Sequence, residues 1–101
     1  MGQKKVIAFA LRYHPEVVER DIPALDPAIR KRIRRALELR LVTHPEKYGK
    51  PLRQSLSGLR KLRVGDWRVI YLIRGTEVWI LRIGHRREVY QEASRPIPEE
   101  S

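Results

Sequence analysis

Lys61, Arg63, Arg68, His85, Arg86 and Tyr90 are the side chains in this sequence whose types and spacing could do chemistry. They fall in one stretch, residues 58–90, GLRKLRVGDWRVIYLIRGTEVWILRIGHRREVY, which carries no obvious carboxylate pair. Such a cluster suits reactions on phosphate esters, where a charged substrate passes through a more highly charged transition state. Arginine offers a planar fork matched to phosphate oxygens, and lysine a point charge. On RNA the 2′-hydroxyl is itself a nucleophile. A protein that takes its proton, stabilises the pentacovalent phosphorane and protonates the departing 5′-oxygen needs no metal and leaves a 2′,3′-cyclic phosphate. His85 has the intrinsic pKa range for acid–base work, and Tyr90 or Lys61 would serve if neighbouring cations lowered theirs. The residues alone leave these three open as general base.

The elements that must position them are two successive β-hairpins, turning at Gly65-Asp66 and Gly75-Thr76. Two-residue loops place Val64 opposite Trp67, Arg63 opposite Arg68, Leu62 opposite Val69 and Lys61 opposite Ile70. In the second hairpin they place Arg74 opposite Glu77, Leu72 opposite Trp79 and Arg68 opposite Ile83. Lys61, Arg63 and Arg68 then share a face with Ile70, Leu72, Trp79, Leu81 and Ile83, and His85 and Arg86 emerge beside Arg68. Tyr90 joins them if a helix starts near Arg86. Leu62, Val64, Val69, Tyr71, Ile73, Val78 and Ile80 form the second face. Directly facing arginines repel unless an anion lies between them, which is the strongest local sign of function. The plainer readings are a surface or helix-start role for His85, ring packing for Tyr90, turn chemistry for Asp66, and sheet packing for Trp67 and Trp79 in place of base stacking.

Upstream, residues 5–12 read as a first strand, and residues 16–20 as a short helix opened by Pro15. Asp26-Pro27 is a stronger start signal, an N-cap acid followed by proline at the first helical position. From 27 to 43, Ile29, Ile33, Ala36, Leu37 and Leu41 recur at helical spacing, while Arg30, Lys31, Arg34 and Arg35 make the opposite face basic. That face is either a solvated surface or an RNA-contacting stripe. Residues 46–57 read as a loop pinned by Leu52 and Leu56, residues 86–93 as one or two helical turns, and residues 95–101 as a flexible tail.

These elements amount to a single α+β domain over residues 1–94. With 101 residues, 42% of them hydrophobic, the chain supports one modest core. The formal charge of +10 favours a polyanionic partner, with nucleic acid ahead of an acidic protein. There is no cysteine, and His14, His44 and His85 are dispersed, so no disulfide, thiolate chemistry, metal site or cofactor is expected. The apolar run near the N-terminus is too short for a signal peptide or a membrane span, so the expectation is a cytoplasmic protein without membrane contact.

The run GKPLRQSLSGLRKLRVGDWRVIYLI followed by VWILRIGHRREVY resembles the RelE/ParE superfamily of type II toxin-antitoxin toxins, and the RelE side more closely. The resemblance implies two helices from the N-terminal half packed on a mostly antiparallel sheet, with a short C-terminal helix. It also implies a ribosome-dependent endoribonuclease that cleaves mRNA and inhibits translation, partnered by the ribosome with its mRNA and by an acidic cognate antitoxin. Operator DNA would be reached only through the antitoxin complex. Carried over by position, Lys61 and Arg68 stabilise charge, Arg86 contacts the scissile phosphate, Tyr90 accepts or orients the proton, and Arg63 matches the strand arginine before the turn; with Arg60 and the basic helix face, Arg63 is a candidate for RNA binding. The sequence departs from the pattern at Leu59, where a first strand lysine often stands, at His85, also often lysine, and in a shorter segment between Arg86 and Tyr90. The alternatives are a ParE-like DNA gyrase inhibitor and a non-catalytic, antitoxin-binding co-repressor.

Overall fold

The computed structural model describes residues 8–52 and 58–89. Five strands form one sheet in the order β1-β5-β4-β3-β2: β1 (Ala10–Tyr13), β2 (Lys50–Pro51), β3 (Arg60–Val64), β4 (Trp67–Arg74) and β5 (Glu77–His85). β2 to β5 pair antiparallel, and β1 lies parallel to β5. The two hairpins turn where the sequence places them. Gly65 and Gly75 have φ of 62° and 59°, a region in which an L side chain is strained and glycine is not.

The first hairpin keeps the register read from the sequence, with Lys61, Leu62, Arg63 and Val64 opposite Ile70, Val69, Arg68 and Trp67. The second departs from it. Arg74 faces Glu77 and Leu72 faces Trp79, but between Tyr71 and Ile70 the partner jumps from Ile80 to Arg82. Leu81 is the extra residue of a β-bulge, and from there on every side chain of β5 changes face. Arg68 therefore faces Gly84, not Ile83, and His85 faces Trp67. Ile83 joins the helix-covered core with Val69, while Leu81 lies in the cluster on the other face.

The helical layer covers the face of Leu62, Val64, Val69, Tyr71, Val78, Ile80 and Ile83. Its first segment is a π-helical turn, Val17–Asp21, in which the Ile22 N–H reaches the Val17 carbonyl at 2.9 Å. α1 (Pro27–Ala36) begins at the predicted proline, although the Asp26 side chain makes no capping bond. A second π-type turn, Leu37–Leu41, extends it and keeps Leu37 and Leu41 on the sheet, where full burial of each contributes roughly 1.5–3 kcal/mol. Beyond the end of β1, the Asp21 carboxylate accepts the N–H of Ile83 at 2.8 Å, tying this layer to β5 just after the bulge.

Within the stretch read as loop lies a further helical turn, α2 (Pro45–Tyr48), with proline again at its first position. It leads directly into β2, which was not expected either. The second sheet face carries Leu59, Ile70, Leu72, Leu81 and Val89, with Leu52 and Trp79 against them. Val89 arrives on one helical turn closed by the N–H groups of Glu88 and Val89 on the His85 carbonyl, and it packs on Gly84. Leu56, residues 5–7, the tail and any further C-terminal helix lie outside the described residues. No helix among the described residues is long and apolar enough to cross a membrane.

α2 is held close against the sheet. A Cβ built on Gly49 would lie 1.7 Å from the Tyr71 hydroxyl, far inside any contact distance. Gly49→Ala should therefore force Tyr71 or the α2 turn to move, at a cost of about 1–3 kcal/mol, read as a fall of several degrees in the midpoint of thermal unfolding. An unchanged midpoint would contradict this packing.

Candidate RNA-binding site

Lys61, Arg63 and Arg68 project from one face of β3 and β4, and the structure brings them together. With Tyr48 and Lys50 they line a cavity of about 230 Å³ whose lining, among the described residues, contains four cations and no carboxylate. β3 alternates as the pattern requires, with Leu62 and Val64 buried and Arg63 exposed. The Arg63/Arg68 pair is directly cross-strand. Arg68 does not splay away: its Nη1 donates to the carbonyls of Gly65 at 3.0 Å and Trp67 at 2.9 Å, fixing the guanidinium over the hairpin turn. Gly84, opposite Arg68, adds no side chain of its own.

Arg86 reaches the same hairpin from the other side. Its backbone N–H donates to the Asp66 carbonyl at 2.8 Å, and its Nε lies 3.8 Å from the Asp66 carboxylate. Asp66 thus holds the end of β5 against the β3–β4 turn as well as shaping that turn. His85 is placed differently from the sequence reading. The bulge puts it on the helix-covered side, edge-on to Trp67 with ring centroids 5.4 Å apart. Its Nδ1 accepts the N–H of Arg87 at 3.2 Å, so the neutral ring carries its proton on Nε2. Tyr90 lies outside the described residues.

The basic helix face divides in two. Arg35, together with Arg32, Arg40 and Arg63, lines a groove of about 380 Å³ that continues from the cavity through Arg63. Arg30, Lys31 and Arg34 instead rim an apolar groove between α1 and Ile83. Arg30 donates to the Leu25 carbonyl at 3.1 Å, and Arg34 pairs with Glu38 one turn on, an exposed bridge worth little. Arg60 points away from Lys61. Its Nη2 donates to the carbonyls of Glu46 at 2.9 Å and Gly49 at 3.1 Å, so it holds α2. Trp67 and Trp79 are partly buried sheet aromatics, the latter donating to Glu77 at 3.0 Å.

Tyr48, Lys50, Arg32 and Arg40 are site residues that the sequence reading did not single out. The available signal was the Tyr48-Gly49-Lys50 triplet after His44-Pro45, an aromatic and a cation flanking a glycine.

A family model described as ParE toxin of type II toxin-antitoxin system, parDE, matches residues 11–90. The chain belongs to the RelE/ParE superfamily of type II toxins. This toxin is 36% identical over 74 residues to Toxin RelG of Mycobacterium tuberculosis, spanning 71% of the chain and 85% of that relative. To Toxin RelE of the same organism it is 42% identical over 53 residues, covering 50% of the chain and 55% of the relative. Among solved structures, the toxin-antitoxin complex RelBE2 from Mycobacterium tuberculosis matches with a TM-score of 0.73 and 32% identity, over 85% of this chain and 100% of that one. A free-state E. coli RelE mutant shares the fold at a TM-score of 0.59 and 19% identity, over 77% of this chain and 83% of that one.

Burial raises the pKa of Tyr71, whose hydroxyl donates to the Pro45 carbonyl beneath α2, and the nearby Arg60 only partly offsets that rise. Tyr13 is raised as well, by burial and then by Glu38. Above pH 10 the unfolded chain releases tyrosine protons that the folded toxin retains, so stability should fall as pH rises from there, by up to about 1.4 kcal/mol per pH unit for each such group. Denaturant titrations from pH 9 to 11 should show this fall, with Tyr71→Phe giving a shallower slope. An equal slope in the variant would contradict the role given to Tyr71.

Proposed function

We propose that this toxin is a ribosome-dependent, metal-independent endoribonuclease that cleaves mRNA and so inhibits translation. The observation that carries the reading is the cavity of Lys61, Arg63 and Arg68, in which Arg63 and Arg68 stand directly cross-strand and the described lining holds no carboxylate. A phosphate diester seated there relieves the repulsion, and the phosphorane, with one more negative charge, relieves it further, so the site favours the transition state over the ground state.

In the proposed reaction the 2′-oxygen attacks the adjacent phosphorus and gives its proton to a base, while the bond to the 5′-oxygen breaks and that oxygen is protonated. The products are a 2′,3′-cyclic phosphate and a 5′-hydroxyl end. Lys61 and Arg68 neutralise the phosphorane oxygens, and Arg63 holds the neighbouring phosphate. Arg86, at the rim beside Asp66, contacts the scissile phosphate. Tyr90 takes the part of proton acceptor that the resemblance implies, with Lys61 the other candidate. His85, with Nδ1 committed to the Arg87 N–H, serves to place the turn that carries Arg86. Arg35 extends the basic track towards ribosomal RNA, whereas Arg30, Lys31 and Arg34 border an apolar groove suited to an acidic antitoxin segment, in keeping with the antitoxin complex of the RelBE2 neighbour.

Because the matching family model is described as a ParE toxin, gyrase inhibition is the second reading. Brief expression in bacterial cells with mapping of 5′ ends on translated messages separates the two. The nuclease should produce new ends at codon positions, and Arg86→Ala should reduce them about a hundredfold or more while the purified variant melts as wild type, since its ion pair is exposed and long. Intact messages with DNA damage would establish the gyrase reading, and a fully active, folded Arg86→Ala would remove Arg86 from the site.

A further inference from the structure

We infer that Tyr48 is a stacking platform for an unpaired base of the RNA strand whose phosphates occupy the cavity of Lys50, Lys61, Arg63 and Arg68. The inference deepens the proposed function and rests on it for the identity of the strand.

Three observations carry it. Tyr48 is a large aromatic left 44% exposed, and it belongs to neither apolar cluster of the sheet. It stands among cations: Lys50, Lys61, Arg63 and Arg68 line the cavity with it, and Arg40 and Lys47 lie 5.8 and 5.7 Å from its ring centroid. It is also carried on a turn that cannot drift. Tyr71 donates to the Pro45 carbonyl, Arg60 donates to the carbonyls of Glu46 and Gly49, and the Tyr71 ring fills the space where a Cβ of residue 49 would be.

An exposed aromatic costs hydration, and one held rigidly beside a row of phosphate-binding cations has the composition of a single-strand binding surface. Phosphates bring affinity and salt dependence. A flat ring beside them accepts the face of whichever base follows, with little preference for sequence, because every base presents a π-face. Trp67 and Trp79, the aromatics that sequence alone would nominate for stacking, are occupied within the sheet.

The test uses the full chain and a labelled 2′-O-methyl tetranucleotide, which it cannot cleave, at low ionic strength. A second oligonucleotide has its bases replaced by abasic sites, and Tyr48→Ala, Tyr48→Trp and Lys61→Ala are compared with wild type. Tyr48→Ala should bind the base-containing strand about tenfold more weakly, and Tyr48→Trp should bind it as tightly as wild type. The slope of log affinity on log salt should stay unchanged in both and become shallower in Lys61→Ala. On the abasic strand wild type and Tyr48→Ala should bind equally. Equal binding of the base-containing strand by wild type and Tyr48→Ala would overturn the inference and leave the nuclease reading standing. Loss in Tyr48→Ala without cleavage of messages in cells would overturn the nuclease reading and leave the platform standing. Absence of salt-dependent binding by wild type would overturn the inference, and the nuclease reading would then be decided by the 5′ ends of translated messages.

Discussion

One extra residue in β5 decides how this toxin presents its charge. At Leu81 two residues of β5 oppose a single step of β4, and the alternation of side chains reverses beyond it. Ile83 is delivered to the helix-covered core, and its N–H is left facing the Asp21 carboxylate. Gly84 is delivered to the other face, opposite Arg68, where a side chain would have crowded the returning Val89. With a regular strand an isoleucine would stand against Arg68. With the bulge the guanidinium has no β5 side chain opposite it, and Arg86 comes to the rim of the hairpin.

Two strand arginines, Arg68 in the cavity and Arg60 beneath α2, are placed by backbone carbonyls. Arg68 is fixed by the carbonyls of Gly65 and Trp67, and Arg60 by those of Glu46 and Gly49. Carbonyls orient a guanidinium without neutralising it, so the positive potential of the cavity survives the folding that organises it. Asp66, at 3.8 Å from Arg86 in an exposed setting, costs the site little charge. The clamp on α2 has the same logic: the buried Tyr71 hydroxyl and the partly exposed Arg60 guanidinium hold a short turn whose own residues cannot stabilise it.

Much of this was legible in the sequence. Gly-Asp and Gly-Thr turns fix a two-residue loop, so the Arg63/Arg68 pairing and the shared face of Lys61 followed from parity alone. Ile33, Leu37 and Leu41 announced the helix by their spacing. The bulge was not read from the sequence, although Arg82 carried its sign: unbroken alternation would put that charge on the face of Val78 and Ile80, and the slip at Leu81 sets it opposite Ile70 on the other face. α2 was missed for a different reason. Its four residues carry no helical periodicity, and its stability comes from Tyr71 and Arg60, more than ten residues away in the chain. The division of the basic helix face depends on what lies against each side of α1, which periodicity cannot report.

The proposed site puts RNA phosphate at the end of the sheet and not along the Arg30, Lys31 and Arg34 side of α1. Amide and arginine side-chain NMR shifts, followed during titration with the uncleavable tetranucleotide, test it most directly. The shifts should concentrate in residues 60–68, 84–86 and 47–50, with the Arg68 guanidinium among the most perturbed. Shifts confined to Arg30, Lys31 and Arg34, with the hairpin turn at Gly65 silent, would contradict it.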